Sequence, residues 1–303
     1  MGNILQYISQ NLQLDENYLS NLVSNSDKYY KVYCIMKPNG EPRRISHPSP
    51  ELKTLQYWCA ENIFARCPVS DAAYAYRKGV SIKKHAEIHS RSKFILHMDI
   101  KHFFESINGE HIKHLLTANR TAFDGYPYQI LEACNTINRI CLRNNRMCIG
   151  AVSSPIISNA ILFDFDKSII EFSKNRGLKY SRYADDMYIS SSAFIDSGIV
   201  DFFEQQLQML HFSLNRHKTR FMSAKGRRMV TGLIITNDNK VSVGLKMRNK
   251  IKDMVYKKIV KGEGDANVIM GYLSFLKDVE PLAYNRIIIK YSAFGNVIEK
   301  IMS

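Results

Sequence analysis

A chain of 303 residues is long enough for about two domains around a sizeable core. Its 42 Lys and Arg against 28 Asp and Glu leave a net charge of +14, which points to a polyanionic partner, nucleic acid or an acidic surface. No apolar run approaches the roughly 18 residues of a membrane span, no leader pattern opens the chain, and Gln6 stands where myristoylation requires Ser or Thr. The expectation is a soluble, cytoplasmic protein without membrane attachment. The six cysteines contain no C-x-x-C pair, which argues against zinc and for reduced thiols.

Taken in chain order, residues 3–26 read as short helices with Leu12, Leu14, Leu19, Leu22 and Val23 as apolar stations. Lys31 to Met36 and Arg43 to Ser46 read as two strands joined by the turn Pro38-Asn39-Gly40. Leu52 to Phe64 has helical period, and Phe94 to Ile100 is an apolar strand. Helices follow over about 108–118 and 127–143, the latter carrying into Cys148 a seven-residue repeat of core cysteines, Cys134, Cys141 and Cys148. Pro155 opens a helix whose buried stripe is Ile156, Ile157, Ala160, Ile161 and Phe163. Lys179 to Tyr183 and Met187 to Ser191 are strands flanking a turn. Val200 to Leu210 is a helix, Met229 to Thr236 pairs with Val241 to Val243, and the pattern is helical from Lys246 onward. Strands mixed with helices indicate an α+β fold. Between Ser213 and Lys261 there are 14 Lys or Arg and only Asp238 and Asp253 as acids, a local +12 suited to tracking phosphates.

Two places break the pattern. Asp99 ends an apolar strand, and Asp185-Asp186 sits between two strands, although Asp is disfavoured in strands and costly to bury unpaired. Carboxylates converging at neighbouring strand ends repel one another unless a divalent cation joins them. Two Mg²⁺ ions about 4 Å apart, or Mn²⁺ in their place, would stabilise both the attacking and the leaving oxygen of a phosphoryl transfer. Nucleotidyl transfer is therefore expected from the residues alone.

Over roughly residues 31–280 the motifs resemble, in order, those of the reverse transcriptases. Lys37-Pro38-Asn39-Gly40-Glu41-Pro42-Arg43 is similar to the fingers motif, which implies Arg43 and Lys37 as contacts of the incoming dNTP. Met98-Asp99-Ile100-Lys101-His102-Phe103-Phe104 resembles motif A, implying that Asp99 and the Ile100 backbone carbonyl bind metal. Phe104 would then be the steric gate. The loop Gly150-Ala151-Val152-Ser153-Ser154-Pro155 resembles motif B and implies close approach to the template–primer, with Ile149 where Gln is common and Val152 where Pro is frequent. Tyr183-Ala184-Asp185-Asp186 matches motif C in full. Leu214-Asn215-Lys218-Thr219 resembles motif D, with Lys218 neutralising the pyrophosphate.

Within that family the chain resembles the retron enzymes. His85-Ala86-Glu87-Ile88-His89 is similar to their N-A-x-x-H element, with His85 in place of Asn, and Val230-Thr231-Gly232 matches their V-T-G element. The resemblance implies a right-hand polymerase fold: fingers over 1–97, a palm of antiparallel sheet flanked by helices over 98–240 with finger helices at about 119–149, and a helical thumb over 241–303. It also implies RNA recognition by His89, Arg227, Arg228, Val230, Thr231, Gly232, Lys246, Arg248 and Lys250. The partner would be a structured non-coding RNA, both template and primer, copied from a 2′-OH into a branched RNA–DNA product in antiphage defence. A separate effector protein and a host RNase H would complete the system. A group II intron or diversity-generating enzyme, an inactive RNA-binding module and a nucleotide cyclase remain as other readings at this point.

Overall fold

The computed structural model describes residues 3–37 and 40–302. Helices α1 (Ile4–Leu12) and α2 (Glu16–Ser24) open the chain, their first free N–H groups capped by Asn3 and Asp15. β1 (Tyr30–Met36) and β2 (Pro42–Pro48) pair antiparallel, and the expected turn residues Pro38 and Asn39 lie outside the described residues. Nearly all of β1 is exposed, so this hairpin projects from the body. α3 (Pro50–Asn62) starts on a Ser49 cap, and α4 (Ile82–His89) on a Ser81 cap.

The centre is a four-stranded antiparallel sheet. β3 (Phe94–Asp99) is followed by five helices: α5 (Phe103–Ser106), α6 (Gly109–Ala118), α7 (Cys134–Cys141), α8 (Ser154–Ile161) and α9 (Phe163–Lys174). Then come β4 (Lys179–Tyr183), β5 (Asp186–Ser191), α10 (Gly198–Gln208) and β6 (Arg220–Ser223), and the strands lie in the order β4-β5-β3-β6. Leu96, Met98, Met187 and Ile189 from the inner strands join Phe165, Ile169 and Phe203 from α9 and α10 in the main core.

Two expectations need correction here. The helix expected over 127–143 shrinks to α7: residues 127–133 form bends and turns before it, and Asn144 and Asn145, both at positive φ, turn the chain back after it. Cys134 and Cys141 share its buried face, whereas Cys148 lies beyond it in a loop. The helix opened by Pro155 breaks at Leu162; Ile157 and Ala160 are buried, and Leu162 and Phe165 take the inner places expected of Ile161 and Phe163.

A small sheet of β7 (Arg228–Val230), β8 (Leu233–Ile235) and β9 (Val241–Ser242) follows. Met229 to Thr236, expected as one strand, folds back on itself at Thr231-Gly232, with φ of 48° and 80°. α11 (Leu245–Tyr256) runs into a π turn at Lys257–Lys261, and α12 (Ala266–Val279), α13 (Pro281–Tyr291) and α14 (Val297–Met302) complete the chain's helical end. These helices, with Val230 and Leu233, bury a second core that also takes in Ile95 and Tyr188 of the central sheet. Among the described residues no helix is long and apolar enough to cross a membrane.

Candidate active site

Strand register brings the acids together. β3 and β5 pair so that Met98 faces Met187 and, one step on, Asp99 faces Asp186. Asp185 precedes Asp186 in the turn after β4, behind Ala184, whose φ is +55°. Burial, then the charge of Asp186 and that of Asp99, push the Asp185 carboxyl up to about 6, with Lys218 opposing. Three carboxyls crowded into a half-dry site call for positive charge.

The protein's own side chains answer part of that call. Lys218 Nζ lies 2.8 Å from Asp99 Oδ2, and Asn215 Nδ2 donates to Asp99 Oδ1 at 3.1 Å. Burial opposes the Lys218 charge, but the Asp99 hydrogen bond and the three acids outweigh it and hold the ammonium above its ordinary value. His97 Nε2 stands 2.6 Å from Asp186 Oδ1. The backbone N–H of Ile100 donates to the Asp185 carbonyl at 3.2 Å, which ties the turn to the end of β3.

Behind the turn sits a polar cluster with no exposure. Arg182 donates through Nε and Nη2 to Asp166, through Nη1 to Asn159 Oδ1 at 3.1 Å and to the Ala184 carbonyl at 2.9 Å. Alongside it, His85 Nε2 and His89 Nε2 lie 2.7 and 2.6 Å from the one Ser181 hydroxyl, and His89 Nδ1 meets Ser190. His85 stacks between Tyr74 and Tyr183 and pairs through Nδ1 with Thr231 Oγ1. Tyr188 OH accepts from the Thr231 N–H at 3.1 Å. The Thr231-Gly232 turn is thus bolted to the back of the turn that carries Asp185.

A profile for "Reverse transcriptase (RNA-dependent DNA polymerase)" matches residues 35–251, well over half the chain. The chain belongs to the reverse transcriptase family. It is an RNA-directed DNA polymerase of retron type. The chain is 31% identical to the Retron Ec73 reverse transcriptase of Escherichia coli over 89% of each chain. Against the Retron Ec86 reverse transcriptase, also of Escherichia coli, identity is 30% over 94% of this chain and 88% of that one. The fold is similar to that of telomerase from Candida albicans, with a TM-score of 0.50 at 12% identity, covering 98% of this chain and 71% of the other. The expected α+β reverse transcriptase fold is the one observed.

Seen as a reverse transcriptase, the chain brings together Asp99, Asp185, Asp186, Ile100 and Lys218 as the motifs imply. Carboxylate oxygen is the donor throughout, which suits Mg²⁺ or Mn²⁺ and not zinc. Among the described residues no three His, Cys, Asp or Glu side chains already close around a metal, and in this arrangement Lys218 and His97 engage Asp99 and Asp186 instead. Phe103 is core and Phe104 half-buried beside it, ring centroids 5.5 Å apart. On the projecting hairpin Arg43 is exposed, while Lys37 pairs with Glu41 at 3.0 Å.

The remaining candidate residues lie at different depths. Ala151, Ser153 and Ser154 bury their side chains, so in the motif B loop only Gly150, Val152 and Pro155 present any surface. A Cβ on Gly150 would meet the Ser46 carbonyl oxygen at 2.7 Å, so this glycine packs against β2. His89, Arg228 and Val230 are interior, because each serves the fold: Arg228 donates to the carbonyls of Ser92 and Thr236, and Val230 is core. Arg227, Gly232, Lys246 and Lys250 are exposed, Thr231 is half-buried, and Arg248 turns toward Glu280 at 3.6 Å. The sequence reading missed Arg182, Asp166, Asn159 and His97. Asp166 offered a signal, as an acid between Phe165 and Ile169 on the inner stripe of α9.

Proposed function

We propose that this enzyme copies part of a structured non-coding RNA into DNA by two-metal nucleotidyl transfer, starting from an RNA 2′-OH and yielding a branched RNA–DNA product used in antiphage defence. The observation that carries the metal part is the convergence of Asp99, Asp185 and Asp186, with the Asp185 carboxyl driven upward by burial and then by its acidic neighbours. The retron part rests on relatives about 30% identical over most of the chain and on the Thr231-Gly232 turn joined to His85.

In this reading Asp99, Asp185, Asp186 and the Ile100 carbonyl would hold Mg²⁺, or Mn²⁺. Bound there, the ions supply positive charge to the attacking and leaving oxygens. The protein's own residues do the rest. Lys218, already among the acids, neutralises charge on the leaving pyrophosphate. Arg43 and Lys37 meet the dNTP triphosphate as the fingers hairpin approaches. Phe104 fills the space a ribose 2′-OH would need. Gly150 and Pro155 face the template–primer, and Arg227, Lys246 and Lys250 grip RNA phosphates with the Thr231-Gly232 turn nearby. A cytoplasmic setting, a separate effector and a host RNase H that removes copied template complete the proposal, as does the division into fingers, palm and thumb at about residues 97 and 240.

Purification from the host, followed by RNase, DNase and debranching treatment of the bound nucleic acid, tests the retron reading. A hybrid that debranching splits is expected. RNA alone, with dNTPs and Mg²⁺ present, would overturn it. The Asp185→Asn variant should retain RNA and lose synthesis, whereas undiminished product would sink the metal assignment.

A further inference from the structure

Asp166 and Arg182 are an ion pair with no solvent exposure on either side chain, 2.7 Å apart at the closest atoms. Stability alone is a poor reason for such a pair, since desolvation consumes most of its attraction and apolar residues of similar volume often serve as well. The rest of its bonding is more telling. Tyr180 OH donates to Asp166 Oδ1 at 2.6 Å, and Asn159 Nδ2 donates to the Ala75 carbonyl at 2.8 Å. The Arg182 backbone is also engaged on both sides, its N–H donating to the Ala72 carbonyl and its own carbonyl accepting from Tyr74, each at 2.7 Å. α8, α9, β4 and residues 72–75 therefore converge on one guanidinium.

That guanidinium also reaches forward to Ala184. Alanine is unfavourable at φ +55°, and nothing in its own side chain selects that conformation. Two outside bonds hold the turn: Arg182 Nη1 to the Ala184 carbonyl, and Ile100 N–H to the Asp185 carbonyl. We propose that the Asp166–Arg182–Asn159 cluster is a positioning device for the catalytic turn, in which Arg182 draws the Ala184 carbonyl inward and so fixes where the Asp185 carboxylate stands. The planar fork matters: one lysine ammonium cannot serve both Asp166 oxygens, Asn159 and Ala184 together. The same cluster anchors the segment that delivers Tyr76, 52% exposed at φ +60°, toward Asp185 and Arg43.

The inference rests on the metal-dependent polymerase reading, so wild-type extension of a DNA primer on an RNA template comes first; its failure would count against that reading and not against this one. Arg182→Lys keeps the buried charges and removes the fork. Asp166→Leu/Tyr180→Phe/Arg182→Met replaces the cluster with apolar volume. For either variant kcat should fall about 10²-fold with the KM for template–primer unchanged. Calorimetric titration of Mn²⁺ into the protein free of nucleic acid should show affinity weakened about tenfold or more. The apolar variant should melt near the wild-type temperature, which separates positioning from stability. Wild-type Mn²⁺ affinity and a kcat within about threefold of wild type in a folded variant would overturn the proposal. Should the apolar variant not fold, Arg182→Lys decides by the same two readouts.

Discussion

Lys218 and Asp99 form an ion pair across the acid cluster, Nζ to Oδ2 at 2.8 Å, so the carboxylate that ends β3 carries its own cation. In the proposed mechanism a lysine there would compete with an incoming metal for Asp99 and would then stand beside the leaving phosphate.

Replacing it separates the two effects. Lys218→Met should lower the Mg²⁺ concentration needed for half-saturation while kcat drops by about 10²-fold, in the range seen when a positioned acid is lost. Mg²⁺ titrations of primer extension and of binding check both. An unchanged Mg²⁺ midpoint would mean the ion pair does not compete.

The Asp185 carboxyl, raised to about 6, predicts a pH signature. The folded state holds this proton more tightly than the unfolded chain does, so stability declines as pH rises from about 4 through about 6. Asp185→Asn removes that cost and should exceed the metal-free wild type by about 1–2 kcal/mol at pH 8, after discounting for solvent screening. The gap should close near pH 4 in urea melts. A gap independent of pH would contradict the shifted carboxyl.

Histidine burial acts in the other sense. Burial lowers His85 to about 4, and burial together with His85 and Lys179 lowers His89 to about 3. Their contribution is complete above the ordinary histidine value of about 6.5 and is lost as pH falls toward these lower values. His89→Gln should cost about 1–3 kcal/mol at pH 7, since Ser181 and Ser190 lose a partner. It should also flatten the decline between pH 6.5 and 4, read as the urea midpoint at each pH.

Two glycines at positive φ should differ. Gly150→Ala meets both backbone strain and the Ser46 carbonyl, whereas Gly232→Ala meets strain with nothing within 4 Å. A loss of about 2–4 kcal/mol is expected for the first and about 1–2 for the second, by thermal melts. Equal losses would show that contact with β2 contributes nothing.

The acids were legible in the sequence because charge at the end of an apolar strand has few structural excuses. The motif order then gave the fold. What escaped was charge placed inside: Arg182 and Arg228 look like ordinary surface cations, and nothing beside them in the sequence announces the distant Asp166 or the two carbonyls that await them. The turn at Thr231-Gly232 was hidden because Met229 to Thr236 is mostly apolar and β-branched and so resembles one strand, whereas partner groups on His85 and Tyr188 support the reversal. Likewise the buried face of the Ala151–Ser154 loop follows from contacts with Gln56 and Cys148, far away in sequence or out of helical register.

The second core reaches past its own helices to Ile95 and Tyr188, on the strands that end in Asp99 and begin with Asp186. Levering those helices away would wet that apolar seam at about 25 cal/mol for each Å² opened. Among the described residues, the β1–β2 hairpin leaves nearly all of β1 exposed and meets the body at the base of β2, where Ser46 and Pro48 are buried. In the proposed reading the enzyme would work as a vice with one jaw welded to the anvil, and the yielding jaw would be the one that carries Arg43.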